Sequence, residues 1–137
     1  MDKSTILRKL SSIKYDLKRL ISEDVDTWED VKISEMVENL LDDIDTAEGN
    51  IRYLCKPTRE ARLYKQNNGR FAVDDETEFS CGCPLEMYLY DEWEECNVWC
   101  SGRVESMHVE GEQTYYFLNR DGKDKILEDG DLVRVRV

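Results

Sequence analysis

The stretch Cys55-Lys56-Pro57-Thr58-Arg59-Glu60-Ala61-Arg62-Leu63-Tyr64-Lys65-Gln66-Asn67-Asn68-Gly69-Arg70-Phe71-Ala72-Val73 decides the fold of this 137-residue chain. Before it, apolar residues recur at steps of three and four; after Pro57 they alternate. Proline ends a helix because it has no amide hydrogen and disfavours the helical conformation at the preceding residue. The boundary therefore falls within residues 55–60. Two alternating runs, 62–65 and 70–73, flank residues 66–69, whose Asn-Gly pair readily takes the positive φ angles of a tight hairpin. The expected division is a helical part at 1–56 and a small antiparallel β domain at 57–137.

Upstream, Ile6, Leu10, Ile13, Leu17 and Leu20 fall on one face of a helix over residues 4–21. Residues 22–28 are polar and acidic. Asp26 or Thr27 suits the cap of a second helix, with Glu29 and Asp30 favourably placed in its first turn. Val31, Met36 or Val37, Leu40, Leu41, Ile44, Ala47, Ile51 and Leu54 keep the helical period without a proline until Pro57. The two helices are expected to form an antiparallel hairpin. Charge divides between them: the first carries Lys3, Arg8, Lys9, Lys14, Lys18 and Arg19 against Asp2 and Asp16, whereas residues 23–48 hold eleven acids against Lys32. Complementarity across the hairpin explains part of this. The run Glu35, Glu38, Asp42, Asp43, Asp45 and Glu48, at spacings that put several carboxylates on one stripe, also fits a basic partner.

Downstream, residues 85–90, 97–105, 113–118 and 132–137 read as further strands, with Asp121-Gly122 and Asp129-Gly130 as turns. Five or six short strands suit a small, strongly bent antiparallel barrel, because closure removes exposed edges. The expected fold class is α+β, a helical hairpin followed by a β-barrel-like domain.

Four of the five cysteines, Cys81, Cys83, Cys96 and Cys100, fall within twenty residues. The N-terminal run MDKSTILRKL threads charges through its apolar positions, so neither a signal peptide nor a membrane span is expected, and the thiols are expected to stay reduced. In that setting a cysteine cluster points to structural zinc. Cys81-Gly82-Cys83 resembles half of a zinc knuckle. Residues four apart in a straight strand are about 13 Å apart, so a four-cysteine site with Zn–S bonds of about 2.3 Å requires Cys96 to fold back beside Cys100. Buried thiols, or a redox or disulfide role, are the alternatives, and His108, the only histidine, is an alternative fourth ligand. Cys55, near the helix end, reads as a core residue between the two parts.

With one histidine, no phosphate-binding glycine loop and carboxylates set in charged runs, nothing points to an enzyme. The net charge of -12, from 31 acids against 19 bases, opposes direct binding to nucleic acid or anionic lipid. Arg134 and Arg136, with Arg103, Tyr64 and Tyr116, compose a small basic-aromatic patch. It lies in a domain of eighteen acids against ten bases after residue 56, where cross-strand charge pairing is the simpler role.

Leu63-Tyr64-Lys65, Gly69-Arg70-Phe71, Ser80-Cys81-Gly82, Pro84-Leu85-Glu86, Trp99, Gly102-Arg103-Val104-Glu105, Tyr115-Tyr116-Phe117, Glu128-Asp129-Gly130 and Val133-Arg134-Val135-Arg136 together resemble a β-domain family of unknown function. The resemblance spans residues 61–137 and implies a setting in Gram-positive bacteria, their phages and mobile elements, with no catalytic residues. Cys83, Cys100 and the insertion Asp91-Glu92-Trp93-Glu94-Glu95 depart from that pattern. In overall character the chain is similar to type II anti-CRISPR proteins. That likeness implies a non-catalytic inhibitor, monomer or homodimer, in the cytoplasm of a bacterial host. It would bind a host Cas9-type nuclease through the acidic stripe and residues 91–95 and block nucleic-acid loading, with zinc holding the loop. The alternative is a prophage or mobile-element accessory protein whose β domain binds a peptide or single-stranded nucleic acid.

Overall fold

The computed structural model describes residues 1–21 and 24–137, so Ser22 and Glu23 of the expected acidic linker lie outside the described residues. The chain divides into two compact units, Met1–Lys56 and Pro57–Val137.

In the first unit, α1 (Lys3–Leu20) is capped by Asp2, whose carboxylate accepts from the Thr5 amide at 3.2 Å. In α2 (Trp28–Cys55), Thr27 is the cap, accepting from the Asp30 amide at 3.1 Å. Each cap satisfies one of the amides that a helix start leaves without a partner. Lys14 bonds Asp45 at 2.7 Å and Glu48 at 3.2 Å, while Ser11 donates to Glu48 at 3.3 Å. Rising numbers on α1 meet falling numbers on α2, so the pair is the expected antiparallel hairpin. Its seam is narrow. No residue of α1 is buried, and α2 buries Leu41, Ile44 and Glu48. Of the apolar residues expected inside, Ile13, Leu20, Val31, Met36, Leu40 and Leu54 are instead exposed, because two helices have only one line of mutual contact and cannot cover a wider stripe.

The second unit holds nine strands: β1 (Thr58–Arg62), β2 (Tyr64–Lys65), β3 (Phe71–Ala72), β4 (Glu78–Phe79), β5 (Pro84–Asp91), β6 (Cys96–Val109), β7 (Glu112–Leu118), β8 (Lys125–Ile126) and β9 (Leu132–Arg136). They form an antiparallel six-stranded sheet, β1-β9-β5-β6-β7-β8, and a three-stranded sheet, β2-β3-β4. The larger sheet is open, with β1 and β8 as its edges, so the expected closed barrel is not formed. The small sheet covers the inner face instead: Phe71 and Phe79 share one core with Leu85, Met87, Cys100, Val104, Phe117 and Val133. Period-two alternation sends Glu86, Tyr88, Trp99, Arg103, Tyr116, Arg134 and Arg136 to the opposite face. Tyr64 belongs to β2, so it is not part of that row.

Two glycines shape this unit. At the 66–69 turn only Gly69 takes a positive φ, 87°. Its amide donates to the Gln66 carbonyl at 3.0 Å and the Gln66 amide to the Arg70 carbonyl at 2.8 Å, so one left-handed residue closes the turn where the sequence suggests two. Gly102 in β6 has no room for a side chain. A Cβ there would lie 2.3 Å from the Leu118 carbonyl and 2.4 Å from the Phe117 ring.

Candidate protein-binding site

The β5–β6 hairpin presents the least expected surface residue. Register runs to Asp91 opposite Cys96, leaving residues 92–95 as the tip. Asp91 Oδ1 accepts from the amides of Trp93 at 2.8 Å and Glu94 at 3.0 Å, while its Oδ2 is 2.5 Å from Lys123 Nζ. Lys123 donates as well to the Tyr90 carbonyl at 3.3 Å. The Lys123 ammonium, helped by the two amides, holds the Asp91 carboxyl below its ordinary range, and Asp91 holds the Lys123 ammonium above its own. Glu95 closes the turn at a φ of 53°. On this pinned turn Trp93 is 95% exposed. Glu92, Glu94 and Glu95 around it are exposed and form no ion pair among the described residues.

The acidic stripe of α2 divides. Asp45 and Glu48 face α1 and are held by Lys14, and Glu48 is buried. Glu35 pairs with Lys32 at 2.9 Å. Glu38, Asp42 and Asp43 stay exposed, with no ion pair among the described residues. Hence three of the six expected contact residues already have a partner inside the helical unit.

The four cysteines do not converge. β6 runs unbroken from Cys96, so the fold-back that zinc requires is absent. Cys96 stands at the tip end opposite Asp91, Cys100 lies in the core opposite Met87, and Cys83 binds Val104 through its backbone carbonyl. Cys81 Sγ is 3.0 Å from Ser106 Oγ, ten residues along β6 from Cys96, a span of about 30 Å. A single ion with Zn–S distances of about 2.3 Å does not reach both ends. Among the described residues no three His, Cys, Asp or Glu side chains are arranged to hold a metal, and His108 lies on β6 opposite Gln113. Cys55 is the last residue of α2.

The arginine patch is also rearranged. Glu86, 2% exposed, accepts from Arg134 at 2.9 and 3.1 Å and from Arg136 at 2.8 and 3.0 Å. The Arg134 guanidinium stacks 4.7 Å from the Trp99 ring, which lies 5.0 Å from Tyr88. Burial pushes the Glu86 carboxyl up, but Arg136 and Arg134 together bring it below the ordinary value of 4.5. Two arginines alternating on β9 opposite a glutamate between Leu85 and Met87 signal such a pairing. Lys123, the anchor of the tip, has no comparable local signal.

No curated protein and no solved structure matches the chain. A family model matches residues 60–137, more than half of the chain and the same segment that carries the sequence resemblance. The chain belongs to the family described as a domain of unknown function, DUF5348.

Proposed function

We propose that the protein is a non-catalytic binding module that docks on a basic protein surface through the β5–β6 tip. One observation carries this reading: Trp93 is 95% exposed on a turn that Asp91 and Lys123 hold in one conformation. A tryptophan left in water is unfavourable for the free protein, and tryptophan is a common anchor of interfaces. A preordered turn loses little further entropy on binding. The ring of Glu92, Glu94 and Glu95 selects arginine- and lysine-rich surfaces. The specific partner we propose is a Cas9-type nuclease. Its positively charged nucleic-acid channel suits this chemistry, and occupying it would block loading of guide or target.

The test is binding and DNA cleavage with a purified Cas9-type nuclease at molar excess of the protein. Binding with reduced DNA loading is expected, weakened about tenfold or more by Trp93→Ala and by Glu92→Lys with Glu94→Lys. Absence of binding removes the nuclease as partner; binding that ignores both substitutions removes the tip as the contact. A second reading rests on the outward row of Tyr88, Trp99, Tyr116 and Arg103, a stacking surface for a peptide or single-stranded nucleic acid. Oligonucleotide binding lost in Arg103→Ala and Tyr116→Ala would favour it.

A further inference from the structure

We propose that the open apolar face of the helical hairpin is a homodimer interface, with α1 of one protomer lying against α2 of its partner in a four-helix bundle. The first ground is the size of the uncovered face. On α1, Ile13 and Leu20 are two turns apart and 48% and 78% exposed; on α2, Ile33, Met36 and Leu40, at helical steps, are 59%, 68% and 47% exposed. Leu20 and Ile33 line one cleft of about 270 Å³ together with Leu17 and Val37, so the two rows lie on the same side of the hairpin. A contiguous run of large apolar side chains over several helical turns marks an association surface more often than a monomer surface.

Charge selects a second copy as the occupant. α1 carries six basic residues against Asp16, and α2 carries eight acids against Lys32 and Arg52. Lys14 already meets Asp45 and Glu48 within the hairpin. Among the described residues Lys9, one turn from Ile13 on α1, makes no ion pair, and neither do Glu29, one turn from Ile33, and Asp43, three residues from Leu40, on α2. A partner of one sign would complement one helix and repel the other. A two-fold related copy brings α1 to α2 twice and complements both, an isologous arrangement with the geometry of antiparallel bundles.

The test is the oligomeric state of the full chain by sedimentation and light scattering over about 1–100 μM. A dimer mass is expected. Met36→Glu with Leu40→Glu, at positions exposed in the protomer, should keep helicity by circular dichroism and weaken dimerisation more than about tenfold. Glu29→Lys with Asp43→Lys should weaken it, Lys9→Glu should weaken it, and the three changes together should restore it. A monomer throughout this range overturns the proposal. So does a dimer indifferent to the Met36 and Leu40 changes, or a combined charge swap no better than its parts. Trp93→Ala should leave the dimer intact, which separates this result from that of the docking tip.

Discussion

Glu86 sits nearly out of water between Leu85 and Met87, a position where an isolated carboxylate would be strongly unfavourable. It is tolerated because Arg134 and Arg136 reach it from β9, and Arg134 in turn stacks on Trp99. Removing one member of such a buried group is much worse than never having built it. Glu86→Ala should therefore cost the β unit about 3–5 kcal/mol, read from urea unfolding followed by tryptophan fluorescence. The same pair sets a pH dependence. The folded carboxyl lies below its ordinary value of 4.5, so the contribution is complete above about that pH and is lost as the pH falls through the folded value. Stability measured against pH should decline on the acid side in the native chain, and Glu86→Gln should flatten that part of the curve. Gly102 offers the complementary case, a site filled by its neighbours. Gly102→Ala drives a methyl into the Leu118 carbonyl and the Phe117 ring, and a loss at the upper end of about 1–3 kcal/mol is expected in the same assay. This accounts for a glycine in the middle of the longest strand, where the residue otherwise weakens a sheet.

Among the elements, the β5–β6 hairpin differs most from its reading in the sequence. The alternation of residues 85–90 and 97–105 is plain enough to predict two strands, and they form as Pro84–Asp91 and Cys96–Val109. What the alternation does not show is that β6 keeps its pairing with β5 as far as Cys96, which closes the acidic insertion to residues 92–95. The consequence is the tip, where Asp91 acts as the anchor. Asp91→Ala should release the Trp93 and Glu94 amides, seen as faster hydrogen exchange at those two residues with the rest of the sheet unchanged. Unchanged protection would mean that the turn is held by its backbone alone. The helices show the opposite balance. Their ends follow from Asp2, Thr27 and Pro57, all local signals, whereas the identity of the covered face depended on the partner helix.

For the whole molecule, the placement of the thiols replaces a metal clasp as the reading of the cysteines. Cys55, Cys81 and Cys96 are exposed, Cys83 is half-buried and Cys100 lies in the core. Thiol-reactive probes should label the three exposed sites first and Cys100 only on unfolding, and a strong chelator should leave the melting of the β unit unchanged. Four sulfurs protected together, then released together by the chelator, would show that the hairpin rearranges around zinc.

By itself the sequence determined the helical hairpin, the change of period at Pro57, most of the longer strands and the acidic character, since each depends on residues within a few positions of one another. It also carried the family resemblance, now met by the match over residues 60–137. Only the tertiary structure decided that the sheet stays open under a small three-stranded cover, that Glu86 claims both arginines, that Asp45 and Glu48 turn inward, and that the cysteines lie apart along β6. The reason is physical. Those outcomes turn on strand register and on which helix face meets its neighbour, and a shift of one residue in register exchanges the inner and outer faces of a strand without altering its local pattern.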